Sequence, residues 1–164
     1  MASTTQKVRV AIQKGLENVA CRVYRGTDQN DLTDNTWMKI NLNTKSYDLG
    51  GNFNTTTFKF IAPITGLYRI HAKIHFTTAS VVAEKTYAVG FYLNAALKSS
   101  SYEHIGASTD EVSVETTEEL YLAVNAEIEM YAKVIAGVST VDVLSGENFT
   151  SLTIRLITKE GIRQ

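Results

Sequence analysis

Residues 68–76 alternate without a break between apolar and polar side chains. Tyr68, Ile70, Ala72, Ile74 and Phe76 share one parity, and Arg69, His71, Lys73 and His75 share the other. A sustained period of two is the pattern of an antiparallel strand with one face in a core and the other outside it. Just upstream, Phe58, Phe60 and Ile61 form a second apolar stretch, and the only proline of the chain, Pro63, separates the two. Proline cannot donate to a hydrogen-bond ladder and belongs at strand ends and turns. Gly66 supplies the backbone freedom that a tight reversal needs. The segment therefore reads as strand, turn, strand.

The same period recurs in Met38/Ile40/Leu42, Tyr87/Val89/Phe91/Leu93, Val112/Val114, Leu120/Leu122/Val124, Ile128/Met130 and Leu152/Ile154/Leu156. Turn-rich stretches at 26–35, 49–56, 77–85, 95–102, 125–126 and 137–146 lie between them. Nothing reads as a long amphipathic helix, an internal repeat or a Gly/Ser linker. About ten short strands, each apolar on one face, make a sandwich or a barrel. A chain of 164 residues is the size of one domain and needs no disulfide or metal to fold. Residues 19–164 read as that domain. Residues 1–18 fit an extra strand or a short helix and read as a lead-in segment, possessing no apolar h-region of a signal peptide. A net charge of −1 gives no global field to recruit nucleic acid, and no apolar run reaches the length of a membrane helix. Cys21 is the sole cysteine and shares parity with Val19 and Val23, so a buried small apolar residue is expected there.

Several short motifs occur in a fixed order. Tyr47-Asp48, Gly51-Asn52-Phe53, Ala62-Pro63 and Gly66-Leu67-Tyr68 together resemble the central signature of the complement C1q globular-head family, within the C1q/tumour necrosis factor superfamily. Residues 20–25 are similar to its first strand, with Cys21 where Phe is usual. Residues 89–94 resemble the strand that ends in an Asn-Gly turn, with Ala95 in place of Gly. Residues 120–130 resemble a strand–turn–strand element in which Asn125-Ala126 replaces Gly-Asp, and 149–157 resemble the closing strand. The similarity spans roughly 19–158, and order and spacing carry it rather than any single motif. It implies a ten-stranded antiparallel jelly-roll sandwich. It also implies a compact homotrimer in which Tyr121, Ala123, Glu129 and Tyr131, out of phase with their apolar neighbours, meet adjacent subunits. No Gly-X-Y collagen repeat precedes the domain.

Candidate chemistry is sparse. His71 and His75 lie about 13 Å apart along one strand, too far to share a metal, and read as solvent- or subunit-facing. Asp28, Asp31 and Asp34, among two Asn in the same loop, are hard oxygen ligands for calcium, although the spacing lacks the order of an EF-hand. The other reading of that loop is a solvated turn in which the carboxylates cap backbone groups. Asp110, Glu111, Glu115, Glu118 and Glu119 form an acidic run whose odd members share an outer face. Asn54 and Asn148 open glycosylation sequons. Trp37, Tyr47, Phe53, Tyr68, Phe76, Tyr87 and Phe91 are expected in the core first. No serine elbow, His-Glu-x-x-His, P-loop or Cys-x-x-Cys occurs, so an enzyme is the weakest reading.

The leading expectation is a non-enzymatic, trimeric attachment head that recognises a protein or glycan on a surface through loops 26–35, 77–85, 95–102 and 137–146. The tip of a bacterial or viral fibre fits, and an extracellular, virion or cell-surface setting is favoured. The competing expectations are a monomeric carbohydrate-binding sandwich, with exposed aromatics on one face, and a purely structural virion or fibre protein. No cofactor other than calcium is expected.

Overall fold

A computed structural model of the chain describes residues 19–77, 81–107, 111–137 and 141–160. The expected lead-in segment 1–18 and Asp110 lie outside these residues. The described residues form thirteen strand segments: β1 (Ala20–Tyr24), β2 (Gln29–Leu32), β3 (Met38–Lys39), β4 (Thr44–Leu49), β5 (Phe53–Asn54), β6 (Lys59–Ile61), β7 (Gly66–Phe76), β8 (Thr86–Leu93), β9 (Ala96–His104), β10 (Val112–Leu122), β11 (Glu127–Ile135), β12 (Val141–Val143) and β13 (Ser151–Lys159). They pair antiparallel in two sheets. A seven-stranded sheet runs β2-β12-β7-β13-β1-β4, with β10 also on β7. A six-stranded sheet runs β5-β6-β11-β8-β9, with β3 also on β11. The strand count exceeds ten because the turn-rich stretches at 26–35 and 137–146 contribute the short β2/β12 pair, and β3 and β5 are two-residue fragments.

The alternation of residues 68–76 sets the core. Tyr68, Ile70, Ala72, Ile74 and Phe76 of β7 are fully buried, facing Phe60, Tyr87, Phe91, Ile128 and Met130 from the other sheet. Aromatic contacts join the layers: Phe60 meets Tyr68 edge-on at 6.0 Å, and Phe76 meets Tyr87 at a tilt at 5.0 Å between ring centroids. Each such side chain stabilises the sandwich by about 2–3 kcal/mol through burial. Cys21 is buried as expected, and burial, followed by the Asp48 carboxylate, pushes its thiol up to about 12. Two aromatics depart from expectation. Tyr47 is 41% exposed, and Trp37 is only partly covered, because each belongs to the outer side of its sheet.

The signature residues have local physical reasons. The nearly buried Asp48 carboxylate accepts from the backbone amides of Asn52 (3.0 Å) and Phe53 (3.1 Å) and from Lys45 Nζ (2.7 Å). It thereby closes the turn at Gly50 and Gly51, both at positive φ, which glycine adopts without steric cost. Gly66 is needed for a different reason than turn freedom. A Cβ there would lie 2.4 Å from the Thr158 carbonyl oxygen of the neighbouring strand, so close approach of β13 excludes a side chain. The stretch 95–102, expected as a loop, is mostly strand β9. It is joined to β8 by a two-residue turn in which Asn94 and Ala95 both take positive φ (49° and 66°). Two successive positive φ values are what a tight hairpin with native twist requires.

Candidate interaction surfaces

Strand register arranges the outer face of the seven-stranded sheet in rows. Glu119, Arg69, Arg155, Ala20 and Leu49 make one row across β10, β7, β13, β1 and β4. Thr117, His71, Thr153, Arg22 and Tyr47 make the next. Arg69 pairs with Glu119 at 2.5 Å, and His71 Nδ1 meets Thr117 Oγ1 at 2.8 Å, both in solvent. Towards β4 the face turns apolar, with Leu49, Tyr47 and Ile157 all exposed. Two adjoining depressions share Arg155, Leu156 and Ile157. One, of about 210 Å³, adds Arg69, and the other, of about 380 Å³, adds Val19, Ala20, Tyr47 and Leu49. Tyr121 stands at the β10 edge of this face, 56% exposed. Its phenol is pushed up by desolvation and by the Glu160 carboxylate. The odd-numbered glutamates of β10 do share this outer side. His75 does not face solvent as expected: it is buried, 5.2 Å from the Phe149 ring, with Nε2 3.3 Å from Glu111.

The outer face of the six-stranded sheet has another character. On β11, Glu129 is buried and pairs with Lys39, which also donates to the Thr57 carbonyl (2.7 Å). Lys59 pairs with Glu127 at 2.8 Å. Tyr131 packs on Tyr92 with ring centroids 4.0 Å apart. Trp37 meets Tyr92 at 6.4 Å and Tyr102 at 6.2 Å, near perpendicular to both. The four residues expected to meet adjacent subunits do not share one face. Tyr121 lies on one outer face, Glu129 and Tyr131 on the opposite one, and Ala123 in the exposed turn between β10 and β11. The aromatic group on the six-stranded face had no signal in strand alternation, since Trp37 precedes β3 and the tyrosines come from three different strands.

The ends of the sandwich also differ. Asp34 Oδ1 accepts from the amides of Ala136 (2.8 Å) and Gly137 (3.1 Å), and Glu84 donates its amide to the Gly106 carbonyl (3.0 Å). Asp28 accepts from the Ser145 amide at 2.7 Å, and Asp142 from the Asp31 amide at 3.0 Å. The bonds to Asp28, Asp34 and Asp142 gather parts of 26–35 and 137–146 at one end, and the Lys85 ammonium acts on Asp34 there and brings in 77–85, whereas 95–102 is not among them. Val19 bonds Leu156 and Glu160 bonds Thr65 towards the other end, where both termini of the described domain emerge. The Ser145 hydroxyl and then its amide hold the Asp28 carboxyl below its usual range, and the amides of Ala136 and Gly137 do the same for Asp34. Asp28 and Asp34 thus cap separate strand ends, the turn-capping role, and among the described residues no three His, Cys, Asp or Glu side chains are placed to hold one metal ion. Asn54 and Asn148 are both exposed in or beside turns.

No protein-family model matches the chain, and no curated protein matches it. Solved structures do. An Eiger TNF from S. frugiperda superposes with TM-score 0.67 at 10% identity, over 90% of this chain and 98% of that one. Murine APRIL at pH 5.0 gives 0.64 at 9% identity, over 85% and 99%. The globular domain of zebrafish complement 1qA gives 0.60 at 15% identity, over 88% and 100%. The chain has the C1q/TNF-like jelly-roll fold, as the ordered motifs implied.

Proposed function

We propose that the protein is a non-enzymatic binding head that assembles as a homotrimer and engages a surface ligand through three copies of the loops at one end. The observation that carries this reading is the position of those loops. Residues 33–36, 82–85, 105–107 and 136–137 sit opposite the end from which Val19 and Glu160 emerge, so they point away from anything joined to the domain. The outer face of the seven-stranded sheet supports assembly. It offers exposed Tyr47, Leu49, Ile157 and Tyr121 beside Arg69 and Arg155, an apolar margin with a charged centre. A closed threefold ring is heterologous, so this face meets a different surface of the next copy. Three weakly binding loop sets then gain avidity of orders of magnitude when they engage together. The tip of a bacterial or viral fibre is one setting that suits such a head.

Light scattering after size exclusion tests the reading. A mass near three times that of the 18.1 kDa chain is expected, falling to one chain in Leu49→Asp combined with Tyr121→Glu. A monomeric wild type at micromolar concentration overturns the trimer. The same run with a chelator is expected to give the same mass; a chelator-dependent shift would bring calcium back to the end that carries Asp28, Asp31 and Asp34.

A further inference from the structure

Trp37, Tyr92, Tyr102 and Tyr131 form a continuous aromatic surface on the outer face of the six-stranded sheet. Its floor is made of small residues. Ala88 pairs across the sheet with Tyr102 and Lys133, and Gly90 pairs with Tyr131 and Ser100. The chain before β3 runs beside β11, yet the indole reaches rings on β8 and β9. It therefore spans Ala88 and Gly90, and both are buried. A side chain at Gly90 would meet the Ser99 carbonyl at 2.8 Å and Leu97 at 3.1 Å, so the neighbouring strand β9 packs close against β8 there. Neither tyrosine lies flat on the indole, since both contacts are near 70°. All four rings keep contact with solvent, and Tyr102 is half exposed.

We propose that this surface is a saccharide-binding platform that takes a pyranose ring against the indole and holds its hydroxyl rim with the flanking tyrosines. Aromatic rings with a polar tip suit an occupant that is apolar on its faces and polar at its edge, and a sugar ring is built that way. The three phenol groups lie close enough to act on one another. After desolvation, Tyr102 raises the Tyr92 phenol, and Glu129 and then Tyr92 raise that of Tyr131. They form a row of neutral donors and acceptors beside the rings. The charges at the margin already neutralise each other, Lys39 with Glu129 and Lys59 with Glu127. A neutral, hydroxyl-rich occupant leaves those pairs intact, whereas a charged peptide would compete with them. Lys133, in the row of Ala88 and Tyr102, adds a donor for a ring hydroxyl. This platform lies on the opposite face from the surface assigned to assembly and does not depend on the trimer.

Trp37 is the only tryptophan of the chain, so its emission reports this surface alone. The intact protein is titrated with cello-, chito-, manno- and galacto-oligosaccharides up to about 10 mM, a range that reaches weak single-site affinities. At least one series is expected to give a saturable change in emission. Tyr102→Ala, which removes ring and phenol together, is expected to weaken it about tenfold, Tyr102→Phe, which removes only the hydroxyl contact, by less than that, and Tyr121→Ala not at all. Absence of a saturable change with every series overturns the platform, and so does a change that survives Tyr102→Ala. An emission shift that follows protein concentration instead of sugar would make this face a contact between copies and likewise overturn it. The mass measured in parallel separates the two proposals: a monomer with an intact sugar response overturns only the trimer.

Discussion

On the seven-stranded face Arg69 and Glu119 pair in solvent, with side chains 62% and 45% exposed; on the six-stranded face Lys39 pairs with a Glu129 side chain that is only 6% exposed. The chemistry of the two pairs is the same, and the covering differs. β3 pairs beside β11 and sets Lys39 next to Glu129, and Trp37 reaches from there to Tyr92, so charge on that side is enclosed with the fold. On the other side the long strands β7, β10 and β13 lie flank to flank, and their outward rows reach solvent. A charge that is enclosed belongs to stability, and a charge left in solvent is free for association. That contrast is open to direct attack.

The largest effects are expected where β7 and β8 tolerate no side chain. Gly66→Ala puts a methyl 2.4 Å from a backbone carbonyl that cannot rotate away, and should destabilise the fold by about 3 kcal/mol. Gly90→Ala meets a carbonyl at 2.8 Å, with the flexible Leu97 end next at 3.1 Å, and should cost about 1–2 kcal/mol. Urea unfolding of both variants checks the order, and equal costs would show that the closeness of the two approaches does not govern. The ion pairs come next. Glu129→Ala leaves two lysines facing a covered site and should cost about 2 kcal/mol, less than a fully buried broken pair because Lys39 and Lys59 still reach water. Glu119→Ala should cost under about 0.5 kcal/mol. If the two costs coincide, the distinction between enclosed and free charge fails.

How much of this was legible in the sequence follows from what each element depends on. β7 was readable because its register depends only on parity: one slip would turn Tyr68, Ile70 and Phe76 to solvent. The jelly roll was readable because Asp48 and Gly51 answer a local demand of the turn and Gly66 the close approach of a neighbouring strand, and such demands fix residue types in a set order. The distribution of Tyr121 and Tyr131 over the two faces was not, since parity places both outward but does not say which sheet carries each. The burial of His75 was not legible because Phe149, far away in the chain, closes over it. The aromatic platform was hidden for the same kind of reason. It depends on a loop residue crossing two strands, a tertiary fact with no period.

Turn chemistry supplies an effect between those of Glu129 and Glu119, at the hairpin that joins β8 to β9 in the six-stranded sheet. Ala95 holds φ at 66°, a conformation that strains a residue with a Cβ and that glycine adopts freely. Ala95→Gly should therefore stabilise the protein by about 1 kcal/mol without altering the oligosaccharide response, since residue 95 lies at the tip of the hairpin. A loss of stability would mean that the turn relaxes around alanine.

The smallest effect lies where the two sheets are tied at the loop end. Asp34 sits between β2 of one sheet and β3 of the other, and it caps the amides that follow β11. Those amides favour the ionised carboxylate and hold its folded value below the usual one. The sign follows from linkage. A depressed folded value contributes stability that is present above about pH 4 and is lost as pH falls through the folded value. Asp28, held down by Ser145, contributes in the same direction. Urea midpoints followed from neutral pH into acid should fall for the wild type, and should fall less steeply for Asp34→Asn, with no change in slope between the two above about pH 5. An asparagine oxygen can still accept one of the amides, so the cap is weakened rather than removed. Parallel acid limbs for wild type and variant would show that Asp34 holds the same proton affinity folded and unfolded, and that packing alone ties the sheets at this end.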